Sequence, residues 1–78
     1  MKIHHAVYKL SQITDKDKAT LYFEGMHVFF TMLREGIGAE VTPAELAFLT
    51  GMTEEESERG LKWCLDNERI ITEGAPLD

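Results

Sequence analysis

Three helix-start signals divide this chain of 78 residues, and they constrain its fold more than any other feature. Each signal is a threonine followed three residues later by an acid. The pairs are Thr14 with Asp17, Thr42 with Glu45, and Thr53 with Glu56. An N-cap threonine accepts a hydrogen bond from a backbone N–H without a helical partner, and the acid reaches back to the N–H of the cap. The spacing therefore predicts helices over about residues 15–35, 43–50 and 54–67.

The segments outside these helices contain patterns typical of strands. Residues 69–73 are short and rich in β-branched side chains, and residues 4–10 alternate in a way that favours a strand over a helical turn. Residues 40–42 are predicted to form a strand of a single bridge. The expected fold class is α+β and mostly helical, with a short β-edge formed by 69–73 and by the N-terminal stretch 4–10.

Composition favours one small acidic domain over residues 1–78. The formal net charge is −6, and residues 40–78 hold ten acids against three bases, whereas residues 1–39 hold four acids against five bases. No apolar run approaches the roughly 18 residues that a membrane span needs, and no signal peptide opens the chain. Cys64 is the only cysteine, which excludes an internal disulfide and fits the cytoplasm.

Residues 40–73 contain a series of positions that resembles the helix-turn-helix core of winged-helix domains. The series is Leu46-Ala47, then Gly51-Met52-Thr53, then Leu61, Leu65 and Ile70-Ile71. More loosely, residues 8–71 are similar to the N-terminal winged-helix domains of DnaD-like primosomal proteins, which associate through this module. The resemblance implies a winged-helix-like three-helix core and a role in prokaryotic or phage transcription or replication.

Two small residues depart from the winged-helix pattern. Ser57 and Gly60 lie on the predicted buried face of the third helix, where such domains usually carry larger apolar side chains. A glycine in a helix interior also costs about 1 kcal/mol relative to alanine. The pair implies either a very close contact between helices or a loosened core.

The outer face of the third helix, which would enter the major groove in a helix-turn-helix protein, is acidic. The residues predicted to contact a partner or DNA there are Glu55, Glu58, Arg59, Lys62, Trp63 and Asp66. Both bases follow a glutamate by four positions, which favours pairing within the helix. Because DNA binding requires unpaired cations, this face is either a protein-contact surface, a mimic of nucleic-acid charge, or simply solvated. A basic contact with DNA would then come from Lys2, Lys9, Lys16 and Lys18.

The first helix carries two apolar stripes. The wider one is the predicted core face, formed by Ala19, Tyr22, Phe23, Met26, Phe29, Phe30 and Leu33. The opposite stripe is formed by Leu21, Gly25, Val28 and Met32. It is either covered by the N-terminal segment or available for self-association as a homodimer. Trp63 is either an interface anchor or packs on the shortened wing.

The chain lacks the residue patterns of an enzyme, of a metal site and of a cofactor site. His4, His5, His27 and Cys64 match no zinc spacing, and Cys64 is predicted to be a small buried hydrophobe. We therefore expect a winged-helix accessory or regulatory protein that acts through protein contacts and self-association. The alternatives are a sequence-specific DNA-binding transcriptional regulator and an acidic inhibitor that mimics nucleic acid.

Overall fold

The computed structural model describes residues 11–38 and 40–67, and three helices lie wholly within them. These helices are α1 (Lys16–Glu35), α2 (Pro43–Thr50) and α3 (Glu54–Asp66). The predicted positions of α2 and of the start of α3 are confirmed, and the predicted end of α3 differs by one residue.

The first helix starts one residue later than predicted and uses a different cap. Asp15, not Thr14, is the N-cap of α1, and its carboxylate accepts a hydrogen bond from the Lys18 N–H at 3.0 Å. An aspartate is as good an acceptor at this position as a threonine, so the neighbouring residue takes the role.

The other two starts are capping boxes. The Glu45 N–H donates to Thr42 Oγ1 at 3.2 Å, and the Thr42 N–H donates to the Glu45 carboxylate at 3.3 Å. Thr53 and Glu56 exchange the equivalent bonds at 3.1 and 2.9 Å. This bond from the Thr53 N–H lowers the pKa of Glu56. Both helix starts are therefore fixed by contacts within four residues of sequence.

The predicted α+β fold class is wrong, because the described residues form a small helical domain without a strand. In residues 40–42, the Val41 N–H donates to the Gly38 carbonyl in a turn, and Thr42 caps α2. Val41 is buried in the core, so its apolar character reflects packing and not sheet pairing. The predicted strands over 4–10 and 69–73 lie outside the described residues.

The α1–α3 contact organises the core, and α2 packs against both helices. Val28 of α1 and Leu46 of α2 are fully buried, and Tyr22, Met26, Val41 and Cys64 complete the buried apolar cluster. Phe29, Phe30 and Met52 pack against its edge. Residues 51–53 form the short corner between α2 and α3, where Gly51 adopts a left-handed conformation with φ of 82°.

The small residues of α3 allow a very close helix contact. A Cβ at Gly60 would lie 2.5 Å from the Glu24 carbonyl oxygen and 2.6 Å from Val28 Cγ2. At Gly25 of α1, a Cβ would overlap the ring of Trp63. Ser57 is fully buried beside this crossing, and its hydroxyl lies 3.4 Å from Thr50 Oγ1. Of the two alternatives that the sequence left open, the structure has the close contact.

Replacing Gly60 with alanine should therefore destabilise the protein. Alanine gains about 1 kcal/mol of helix propensity, but overpacking against a backbone carbonyl costs more, and we expect a net loss of about 1–3 kcal/mol. Urea unfolding followed by circular dichroism measures this change. The control Glu58→Ala, at an exposed position of the same helix, should stay within about 0.5 kcal/mol of wild type. An increase in stability for Gly60→Ala would contradict the close contact.

Candidate functional site

The outer face of α3 is the surface that the sequence predicts as a contact site. Glu55, Glu58, Lys62 and Asp66 are all exposed on it. Together with Arg59, the first three of these line an open depression. The structure therefore brings four of the six predicted residues to one place and leaves Asp66 at the exposed end of the helix.

Arg59 is held by a carboxylate of α1. Its Nε donates to Glu24 Oε1 at 3.0 Å and its Nη2 donates to Glu24 Oε2 at 2.8 Å, which is a bidentate ion pair. The Glu24 side chain is only 3% exposed, whereas that of Arg59 is 49% exposed. The hydrogen bonds and charge of Glu24 raise the pKa of Arg59. The guanidinium is thus committed to a contact inside the protein.

The pairing within α3 that the sequence predicts is absent from the described residues. The ion pairs found there are Arg59 with Glu24 and Arg34 with Glu35, so neither Glu55 with Arg59 nor Glu58 with Lys62 is joined. The buried carboxylate of Glu24 outcompetes the solvated one of Glu55, because the field of a buried charge is screened less. Lys62 is left as the one unpaired base on this face among the described residues.

Trp63 lies in the α1–α3 contact and not on the outer face. Its ring covers Gly25 and meets the Tyr22 ring edge-on, with centroids 5.4 Å apart. It is half-buried. The structure thus gives Trp63 a packing role against α1, which the angular position on the helix did not indicate.

The second apolar stripe of α1 lies largely in the same contact. Gly25 and Val28 are buried against α3, Met32 is half-buried, and Leu21 is exposed at the margin. The four residues therefore do not form an open surface for a second copy. Conversely, Phe23 and Leu33 of the predicted core face are 50% and 60% exposed. The two stripes of α1 thus differ in burial from the prediction.

The predicted basic contact is only partly within the described residues. Lys16 and Lys18 are exposed at the start of α1. Lys2 and Lys9 lie outside the described residues, as do His4 and His5.

The remaining reactive side chains are held in apolar surroundings. Cys64 is a free thiol that donates to the Gly25 carbonyl at 2.8 Å, and burial raises its pKa to about 12. Burial also raises the pKa of Tyr22. The Tyr22 hydroxyl and His27 Nδ1 have no hydrogen-bond partner among the described residues. No group of three potential metal ligands occurs in residues 11–38 and 40–67.

Sequence reasoning missed two features of the structure. One is the ion pair of Arg59 with Glu24. The two residues are 35 positions apart in sequence, so the pair is visible only in the folded structure. A signal existed, since Glu24 shares a helical face with Val28 and Thr31, and a lone acid on such a face needs a partner. The other feature is Phe48 of α2, which is 87% exposed although it lies in an apolar run.

Comparison with known proteins assigns no function to this chain, so its function has to be inferred from its own residues. No protein family, curated protein or solved structure matches this chain. Within the described part, none of the helices has the length and apolar character that crossing a membrane requires.

The role of Glu24 predicts unequal effects for two substitutions that remove the same charge. Arg59→Met should lower the urea midpoint, because it leaves the buried Glu24 carboxylate without its partner. Lys62→Met, on the same helix, should leave the midpoint close to that of wild type. Adding Glu24→Gln to Arg59→Met should recover part of the loss, since the uncompensated charge is then absent. Equal changes of the urea midpoint in Arg59→Met and Lys62→Met would contradict the assignment of Arg59 as the partner of Glu24.

Cys64 should be almost inert while the protein is folded. With a pKa of about 12, its thiolate fraction at pH 8 is on the order of one in ten thousand. We expect alkylation by iodoacetamide to be at least about a hundredfold slower than in denaturant. The variant Glu58→Cys supplies an exposed thiol on the same helix as a control, and peptide mass mapping separates the two. Equal labelling rates in the folded protein would contradict burial of Cys64.

The raised pKa of Cys64 also predicts how the stability of the protein changes at alkaline pH. The unfolded chain loses the thiol proton near the ordinary value of 9.0, whereas the folded chain keeps it to about 12. Above pH 9 the unfolded state therefore binds fewer protons, and the free energy of unfolding falls as pH rises. The raised pKa of Tyr22 acts in the same direction.

Proposed function

We propose that this protein is a small acidic accessory module that works by binding another protein through the outer face of α3. Its partner at this face is a basic protein segment. The observation that carries the proposal is the ion pair of Arg59 with Glu24, which neutralises one of the two bases of α3. Lys62 then stands among Glu55, Glu58 and Asp66.

The electrostatics of this face oppose contact with nucleic acid. Binding to duplex DNA draws most of its sequence-independent affinity from lysines and arginines that replace counterions on phosphate. The face offers one such residue and several carboxylates, so it would repel phosphate and attract a cationic protein surface. The rival function, a sequence-specific DNA-binding regulator, would need its cations elsewhere in the chain.

The setting that we propose is prokaryotic or phage DNA transactions, in the cytoplasm. The support for DNA transactions is the resemblance to helix-turn-helix proteins, of which the tight corner at Gly51 between α2 and α3 lies within the described residues. The support for the cytoplasm is the free thiol of Cys64. Self-association would have to use a surface other than Gly25 and Val28, which are buried.

A salt series of gel-shift experiments tests the exclusion of DNA. The whole chain is mixed with duplex DNA of mixed sequence, from low to physiological salt. We expect no retardation even at low salt, where electrostatic binding is strongest. Tight retardation that falls steeply with salt would contradict the proposal and favour the DNA-binding regulator.

An NMR titration with an oligolysine peptide tests the protein-contact face. We expect the largest amide shifts at Glu55, Glu58 and Lys62, and much weaker binding for the double variant Glu55→Lys, Glu58→Lys. The matched control Asp17→Lys, Glu35→Lys makes the same change of charge at the two ends of α1. Equal loss in both double variants would mean that binding follows net charge alone, and would reject the α3 face.

A further inference from the structure

The outer face of α2 is apolar although it lies in solvent. A helix with apolar residues all round is normally buried. In α2 only Leu46 is fully buried, on the inner side, whereas Phe48 is 87% exposed. Phe48 shares an open depression with Ala44, Glu45 and Leu49. The aromatic ring therefore contributes little to the core and is available to an external ligand.

The segment of the chain that forms this depression carries charge of one sign. Between Arg34 and Thr53 the chain has no lysine, arginine or histidine and has three glutamates. Glu45 borders both this depression and a neighbouring one that Glu40, Ile37 and Val41 help to line. The capping box fixes the Glu45 carboxylate in place. The exposed Phe48 ring is therefore bordered by the carboxylate of Glu45, with Glu40 in the neighbouring depression.

We propose that this depression on α2 binds a basic amphipathic helix of a partner protein. An apolar side chain of that helix packs on Phe48, and its flanking lysines or arginines face Glu40 and Glu45. This is the pattern by which amphipathic helices bind grooves, with apolar anchors for affinity and charges for orientation. The inference shares with the proposed function that the ligand is a basic protein segment, but it concerns a different helix and a different face.

The charge pattern opposes three other occupants. A second copy, packed about a twofold axis, would set Glu40 and Glu45 against the same glutamates of its neighbour. Anionic lipid headgroups and the phosphates of nucleic acid would meet the same repulsion. Only a partner with positive charge beside an apolar residue complements both properties of this surface.

The test is an NMR titration of the isotopically labelled whole chain with a synthetic helical peptide. In this peptide leucine recurs at three- and four-residue spacing, and lysine fills the other positions. We expect the largest amide shifts over residues 43–50, and an affinity at least about tenfold lower for Phe48→Ala. Because Phe48 is exposed, this variant keeps the fold. The controls Phe23→Ala and Leu33→Ala, which remove exposed apolar side chains of α1, should bind as wild type does.

Three results would overturn the inference. One is unchanged affinity for Phe48→Ala. Another is a lysine peptide with serine in place of leucine that shifts the amides of residues 43–50 equally, because charge alone would then suffice at α2. The third is a dimer of the wild type in sedimentation that Phe48→Ala dissociates, because the occupant would then be a second copy. The double variant Glu55→Lys, Glu58→Lys should leave binding of the leucine–lysine peptide at α2 intact, which separates this inference from the proposed function.

Discussion

The close crossing of α1 and α3 is the constraint on which the rest of the structure depends. It requires Gly60, whose hydrogen leaves room for the Glu24 carbonyl, and Gly25, which lies under the ring of Trp63. Because the two helices lie so close together, the Cys64 thiol reaches the Gly25 carbonyl and the Arg59 guanidinium reaches the Glu24 carboxylate. A wider spacing of the two helices would lose the packing and both polar contacts together, because all of them share the same few residues.

The crossing also determines the charge of the molecular surface. Glu24 is buried, and a buried carboxylate requires a cation and hydrogen bonds. Arg59 supplies both, and its charge is neutralised where α3 would otherwise present it to a ligand. The buried carboxylate of Glu24 is thus neutralised by Arg59, a base of the outer face of α3. Such a pair need not add to net stability, since its desolvation opposes its attraction. Its consequence for function is the larger one, because it leaves α3 acidic.

Local signals in the sequence were sufficient for the helices and insufficient for their packing. The capping residues Thr42 and Thr53 act within four positions, so their sequence spacing identified α2 and α3. The burial of Val28 depends on a partner helix some thirty residues away, and no periodicity within α1 shows that residues of both apolar stripes are buried. Val41 was misread for a related reason, since a single buried residue in a turn resembles a strand. The position of Trp63 was predicted from the geometry of α3 alone, whereas its ring in the structure covers Gly25 of α1.

The two surfaces proposed for partners share one property, which is that folding does not require them. Selection for stability and solubility alone would favour a polar residue at an exposed helix position, and Phe48 is the opposite of that. It is not among the residues of the described core, to which α2 contributes Leu46 on its inner side. Similarly, Glu55 and Glu58 form no ion pair within the described residues, and Arg59, four positions after Glu55, pairs with Glu24 instead. An apolar side chain without packing and acids without counterions are each incomplete in the isolated chain, and a basic amphipathic partner would complete both.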